Sequence, residues 1–79
     1  MAMKELLEYI AKNLVEHPEA VTVEQSEKED GEVLLTLRVA DGDMGMIIGR
    51  QGRIVREIRT LIRAAAAREN KRVTVEVAD

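Results

Sequence analysis

Two different apolar periods alternate along this chain of 79 residues, and their order leaves few folds open. From residue 3 to residue 15 apolar side chains recur every three or four positions, which predicts an amphipathic helix, and Pro18 then stops it. Three later segments alternate apolar and polar residues as half-buried strands do: 21–24, 32–40 and 73–77. A second helical stripe runs from about Arg53 to Arg68, before the last strand.

A short helix is expected from Met44 to Ile48, with Asp43 as its N-cap and Gly49 after its end. The element order is then α-β-β-α-α-β. This order indicates an α+β fold in which three helices pack on one face of a three-stranded sheet. Because two helices connect the second strand to the third, those strands can be parallel. We expect one domain over residues 1–79.

The reactive side chains are too few for most catalytic and metal sites. There is no cysteine, and Ser26 and His17 are the only residues of their types, so no catalytic triad can form. Because His17 precedes Pro18, we interpret it as a cap at the end of the first helix. We therefore expect a non-enzyme without catalytic residues, cofactor or metal.

No apolar run approaches the roughly 20 residues that span a bilayer. The first residues lack the apolar core of a signal peptide. Together with the absence of cysteine, this predicts a cytoplasmic protein without a membrane partner.

Positive charge is concentrated in one segment of an otherwise acidic chain. Residues 45–72 hold eight basic and two acidic side chains, a balance of +6, whereas the other 51 residues hold four basic and thirteen acidic ones, a balance of −9. Four arginines of the long helix fall on one ridge, predicted to face away from its apolar stripe: Arg53, Arg56, Arg59 and Arg63. The ridge is either a solvated helix face or a surface for a polyanion.

A glycine-framed loop, Gly49-Arg50-Gln51-Gly52, joins the short helix to the long one. Glycine lets another backbone approach closely, and the first N–H groups of the following helix favour phosphate. Arg50 and Arg53 add full positive charges, and Gln51 can donate or accept a hydrogen bond. The loop therefore predicts a site for a sugar-phosphate backbone.

A second G-x-x-G sequence, Gly42 to Gly45, lies just upstream. It contains Asp43 and follows Asp41, whose charges would repel phosphate. We interpret it as a turn from strand to helix.

The run Gly-Met-Ile-Ile-Gly-Arg-Gln-Gly-Arg-Ile from Gly45 to Ile54 resembles the signature of a KH domain, whose G-x-x-G loop clamps about four nucleotides of single-stranded RNA. The element order is similar to the type II KH arrangement. The length and the arginine- and alanine-rich run that follows resemble the small single-KH proteins of bacteria, the KhpA family. The resemblance covers about Lys4 to Val77. Met46 departs from it, since relatives often carry Arg or Lys there, and this removes one cation beside the loop.

The resemblance assigns an RNA-binding role to eight positions: Ile47, Ile48, Gly49, Arg50, Gln51, Gly52, Arg53 and Arg56. The loop would clamp the RNA backbone, the isoleucines would place the loop and line the groove, and the last two arginines would flank the RNA path. The resemblance also implies a homodimer or a heteromer with a larger KH-containing protein, KhpB. It implies roles in RNA chaperoning or post-transcriptional regulation, cell-wall homeostasis and cell-length control. Leu61 and Ala64, on the flank of the apolar arc, are the candidate dimer surface.

Other functions stay open at this point. The acidic remainder of the chain and Met46 fit a KH fold that serves as a protein-interaction module with little RNA affinity. The arginine ridge fits a binder of structured or ribosomal RNA. An RRM is disfavoured, because it stacks bases on aromatic side chains and Tyr9 is the only aromatic residue.

Overall fold

The helices and strands of the computed structural model, which describes residues 2–78, follow the predicted order. The elements are α1 (Met3–Leu14), β1 (Thr22–Glu27), β2 (Val33–Arg38), α2 (Met44–Ile48), α3 (Arg53–Arg68) and β3 (Val73–Ala78). Short 3-10 turns lie at Pro18–Ala20, Asp41–Asp43 and Arg50–Gly52. The predicted bounds of α2 and α3 are confirmed, whereas α1 ends one residue early and β2 is shorter than predicted. The predicted domain over residues 1–79 includes Met1 and Asp79, which lie outside the described residues.

The sheet has the order β1-β2-β3, with β2 in the centre. β1 pairs with β2 in antiparallel orientation, and Gln25 lies opposite Leu35. β2 pairs with β3 in parallel, and Leu35 lies opposite Val75. The predicted parallel pair is therefore confirmed, and α2 and α3 form the crossover between its strands. β3 is an edge strand, so one of its sides is not paired with another strand.

One face of the sheet and the apolar stripes of the helices form the core. On β2 the buried residues alternate with half-buried or exposed ones, so a single face is covered. The fully buried large apolar side chains come from α1, β2, α2 and α3: Leu7, Leu35, Leu37, Ile47 and Ile62. The predicted α+β arrangement is confirmed, and α2 is fixed to the core through Ile47.

Candidate nucleic-acid interface

The backbone of the loop between α2 and α3 turns sharply through three residues with positive φ. Gly49 has φ 74° and ψ 173°, a region that is essentially restricted to glycine. Gln51 (φ 58°, ψ 27°) and Gly52 (φ 75°, ψ 16°) both lie in the left-handed helical region. The chain thereby leaves α2 and enters α3 within four residues.

Gly49 is also required by packing against α3. A Cβ atom at Gly49 would lie 2.8 Å from Cβ and 2.9 Å from the backbone nitrogen of Ile54, too close for real atoms. At Gly52 a Cβ atom would meet only Arg56 Nη1 at 3.6 Å and Val55 Cγ1 at 3.9 Å. The space at Gly49 is thus filled by α3 itself, whereas a side chain at Gly52 would fit.

The loop presents unused backbone donors. Gly49 N donates to Gly45 O at 2.8 Å, and Gly52 N donates to Gly49 O at 3.2 Å. Within residues 2–78, no backbone hydrogen bond uses the N–H groups of Arg50 or Gln51. Two adjacent amide donors beside the N-terminus of α3 favour an anion.

Cationic side chains surround these amides and differ in their contacts. The side chain of Arg50 is exposed and makes no ion pair or hydrogen bond with the described part of the chain. Arg56 Nη1 donates to Gln51 O at 2.8 Å, which ties α3 to the loop. Arg53 Nε lies 3.5 Å from Glu57 Oε1 in an exposed pair, a contact that water screens strongly. Arg50 is therefore the side chain best placed to meet an anion at the amides.

The two isoleucines before the loop differ in exposure. The side chain of Ile47 is 0% exposed and belongs to the core, so it can place the loop but presents no surface to a ligand. Ile48 is half-buried and keeps apolar surface beside the loop. Of the two residues predicted to line a groove, only Ile48 has the exposure to do so.

The predicted arginine ridge is not uniformly turned to solvent. Arg59 is half-buried, and its Nε donates to the carbonyl oxygen of Val75 on β3 at 3.1 Å. Arg53, Arg56 and Arg63 are exposed. The expectation of four arginines facing away from the core is therefore wrong at Arg59, because the flank of α3 that carries it packs against the edge of β3.

Asp43 has a role that its sequence context did not indicate. It directly precedes α2, but its side chain makes no capping hydrogen bond and is only 1% exposed. Its carboxylate accepts from the backbone N–H of Glu16 at 3.3 Å and of His17 at 3.0 Å, and His17 Nδ1 lies 3.1 Å from Oδ2. Asp43 occupies the predicted N-cap position of α2 but its side chain does not cap the helix. The prediction of His17 as a cap of α1 is wrong, since His17 and Asp43 bind each other across 26 positions.

These contacts control the ionisation of Asp43 and anchor α2. Burial alone would raise the pKa of Asp43, but the hydrogen bonds from His17 and Glu16 outweigh it and hold the pKa below the usual 3.8. The ionised carboxylate thus joins the segment after α1 to the start of the helix that ends in the loop. The upstream G-x-x-G sequence is confirmed as a turn between strand and helix.

The two residues of the candidate dimer surface lie on the opposite flank of α3. Leu61 is 55% exposed, and Ala64 is also exposed. Both line a groove of about 460 Å³ between α1 and α3, together with Leu6, Ala65, Arg68 and Glu69. Leu61 also lines a second groove of about 640 Å³ with Arg53, Arg56, Glu57 and Thr60, so the candidate dimer surface adjoins the first turns of α3 after the loop.

Comparison with known proteins decides the family. A family model described as KhpA/KhpB, KH domain, matches residues 4–77. The chain belongs to the KhpA/KhpB KH-domain family. It is 55% identical over 75 residues to a Clostridium acetobutylicum protein, covering 95% of this chain and 99% of the relative. The identity is 52% to a Clostridium perfringens protein and 44% to one from Chlamydia trachomatis, with 99% and 95% of the relatives covered. All three relatives are named RNA-binding protein KhpA.

Solved structures support the same KH fold at lower identity. Era from Aquifex aeolicus, bound to GDP and aluminium fluoride, matches 95% of this chain with a TM-score of 0.65 and 20% identity. Era in complex with MgGDPNP and a fragment of 16S ribosomal RNA matches equally well. The chain spans only 29% and 28% of these Era chains, so the match concerns the fold alone.

Membership of the KhpA/KhpB family also answers the question of catalysis. It is a family of RNA-binding KH proteins and not of enzymes, in agreement with the sequence-based prediction. No helix within residues 2–78 is long and apolar enough to cross a membrane.

Proposed function

We propose that this chain is a non-catalytic protein that binds single-stranded RNA through the loop from Gly49 to Gly52. The proposal is carried by one observation, the two adjacent unused amides of Arg50 and Gln51 beside the unpaired Arg50 side chain. Backbone donors and an arginine together suit a phosphate group. The names of the relatives support RNA as the polyanion.

In this proposal each part of the site has its own task. The loop amides and Arg50 hold phosphates, while Arg53 and Arg56 flank the RNA path from the first turns of α3. Ile48 offers apolar surface to a base. Gly52 leaves room for the RNA backbone, and Gly49 keeps the loop closed against α3.

Fluorescence anisotropy with labelled single-stranded RNA across a salt series tests this site. In the double variant Arg50→Asp/Gln51→Asp both glycines remain, and aspartate tolerates the left-handed backbone of position 51. With three or four phosphate contacts the wild type should show a log-log salt slope of roughly −2 to −3, and the variant should lose most of its affinity.

The matched control is Lys4→Asp/Gln25→Asp, which changes the net charge by the same three units on α1 and β1. It should retain most of the affinity, and circular dichroism should show that both variants are folded. Equal binding by the loop variant would move the site to the arginines of α3. No binding by the wild type would favour a protein-interaction module instead.

We further propose that two copies associate through the α1–α3 groove. The groove is continuous with the exposed side chain of Leu61, and Ala64 lets a second helix approach closely. A loop that contacts few nucleotides binds weakly, and pairing two loops raises the effective concentration of the second. The same surface is our candidate for binding a larger KH-containing protein of the KhpB type.

Leu61→Lys tests the dimer surface in light-scattering measurements of molar mass. The wild type should have twice the mass of one chain, and the variant the mass of one chain. Because Leu61 is more than half exposed, its replacement should not disturb the core of one chain. The melting temperature of the variant should therefore fall only because the interface is lost. Leu14→Lys replaces another exposed leucine and should remain dimeric. An unchanged mass and stability in Leu61→Lys would remove this surface from consideration.

The cellular role is proposed from the family resemblance. RNA chaperoning or post-transcriptional regulation in the cytoplasm, with effects on cell-wall homeostasis and cell length, is the role we expect. A strain whose chromosomal copy carries Arg50→Asp/Gln51→Asp tests whether RNA binding is required. Its cell length should match that of a deletion strain, and wild-type length at normal protein abundance would contradict the proposal.

A further inference from the structure

Besides the arginines near the loop, a second group of cations lies towards the C-terminal end of α3, on the flank that faces β3. A cavity of about 370 Å³ opens there beside the first residues of β3. Its lining residues are Glu32, Arg63, Lys71, Arg72, Val73 and Thr74. Of the three cations, Arg63 belongs to α3, and the other two belong to the turn that leads into β3.

This cavity and the loop lie along one edge of the molecule. α3 runs antiparallel to β3, since Arg59 contacts Val75 while Arg63, one turn later, shares the cavity with Val73. With a rise of 1.5 Å per residue, Arg63 lies about 15 Å along α3 from Arg53 at the loop. The half-buried Arg59 lies between the two ends. A polyanion held at the loop can therefore reach the cavity by following the free edge of β3.

The backbone around the cavity is held by hydrogen bonds. Asn70 takes the left-handed conformation (φ 57°), and Lys71 N donates to Ala66 O at 2.9 Å, which closes the end of α3. Val33 N donates to Arg72 O at 3.0 Å and joins the turn to β2. The positions of the two turn cations are thus fixed relative to α3 before any ligand arrives.

The acidic groups near the cavity already have partners. Glu32 accepts from Thr74 Oγ1 at 2.8 Å and from Lys28 Nζ at 3.1 Å, and these hydrogen bonds hold the pKa of Glu32 below its usual value. Asp30 Oδ2 lies 3.1 Å from Arg72 Nη2.

The two remaining cations of the cavity have no such partners. Arg63 and Lys71 are exposed, and neither side chain makes an ion pair or hydrogen bond with any described residue. Their positive charges are therefore left uncompensated beside a polar cavity.

We infer that Arg63 and Lys71 form a second phosphate-binding subsite, so that RNA held at the loop extends along the edge of β3. The inference rests on the proposed RNA-binding function and adds to it a footprint longer than the nucleotides clamped by the loop. Arg59 then acts as a positioning residue that holds α3 against β3 between the subsites.

The test compares two labelled, random-sequence RNA pools, one of four and one of ten nucleotides, on the full chain. Each phosphate contact releases about 0.7 of a counterion and is worth about fivefold in affinity at about 0.1 M salt. Arg63→Gln/Lys71→Gln should therefore weaken binding of the longer RNA by roughly five- to twenty-five-fold, and its salt slope should become shallower by about 0.7 for each lost contact. Binding of the shorter RNA should not change.

The control Lys4→Gln/Lys12→Gln removes the same charge from α1, which packs on the other flank of α3. It should bind both RNAs like the wild type. If the cluster variant binds the longer RNA normally while Arg50→Asp/Gln51→Asp does not, the second subsite is refuted and the loop site stands. An equal loss of affinity for both lengths would also refute it, because the two cations would then act only through the overall electrostatic potential of the protein. No binding of either RNA by the wild type would overturn both proposals.

Discussion

Gly49→Ala should destabilise this protein far more than the same change at Gly52. Position 49 has φ 74° and ψ 173°, and holding alanine in such a region costs about 1–3 kcal/mol. The new methyl group would also lie 2.8 Å from Ile54 Cβ, and overpacking of this kind costs about 1–3 kcal/mol more. The total, roughly 2–6 kcal/mol, is a large part of the roughly 4–12 kcal/mol expected for a chain of this length.

Gly52→Ala is the matched comparison, because its φ of 75° is almost the same. Its ψ of 16° places it in the ordinary left-handed helical region, where alanine costs about 1–2 kcal/mol. Its new methyl group would come no closer than 3.6 Å to Arg56. Gly52→Ala should therefore retain most of the stability that Gly49→Ala loses.

Urea unfolding followed by circular dichroism measures both changes. The midpoint should fall strongly for Gly49→Ala and slightly for Gly52→Ala, with similar slopes m for all three proteins. Equal losses at the two glycines, or a normal midpoint for Gly49→Ala, would refute the close packing of the loop against Ile54.

Three further substitutions test other parts of the structure. The ionised form of Asp43 stabilises the fold at neutral pH, and this contribution is lost as the pH falls below 3.8 through the lowered pKa of the folded state. Melts of Asp43→Asn should therefore show a lower Tm at pH 7, by about 5 °C or more, and a shallower acid loss than the wild type; parallel acid losses would contradict this. Ile62→Ala, at a fully buried position, should lower the free energy of unfolding in urea by about 2–5 kcal/mol, and a loss below 1 kcal/mol would contradict its place in the core. Arg59→Met keeps the apolar stem but removes the hydrogen bond to Val75, and should cost about 1 kcal/mol in the same assay; an unchanged midpoint would show that this bond is not formed in solution.

Features set by local pattern were predictable from the sequence. The bounds of α2 and α3 followed from the apolar stripes and from the glycines between them. The parallel pairing of β2 with β3 followed from the two helices that connect them. The helix bounds depend on residues that are close together in the chain, whereas the pairing, which joins Val33 to Val73, depends on the kind of connection between the two strands.

Contacts of individual side chains with distant residues were not predictable. Asp43 looked like a helix cap, because nothing near it in the sequence points to His17 as its partner. Arg59 occupies the same ridge as Arg56, and only the position of the β3 edge separates their roles. In the sequence Lys71 is only one charge of a basic segment, whereas in the structure the turn after α3 places it beside Arg63.

The most direct test of the central claim is an NMR titration of the isotope-labelled chain with single-stranded RNA. Backbone amide signals report the loop itself, without a mutation. We predict that the largest shifts occur at the amides of Arg50 and Gln51, with smaller changes at the start of α3. Unmoved loop amides, with shifts confined to the groove around Leu61 or absent altogether, would contradict RNA binding at this loop.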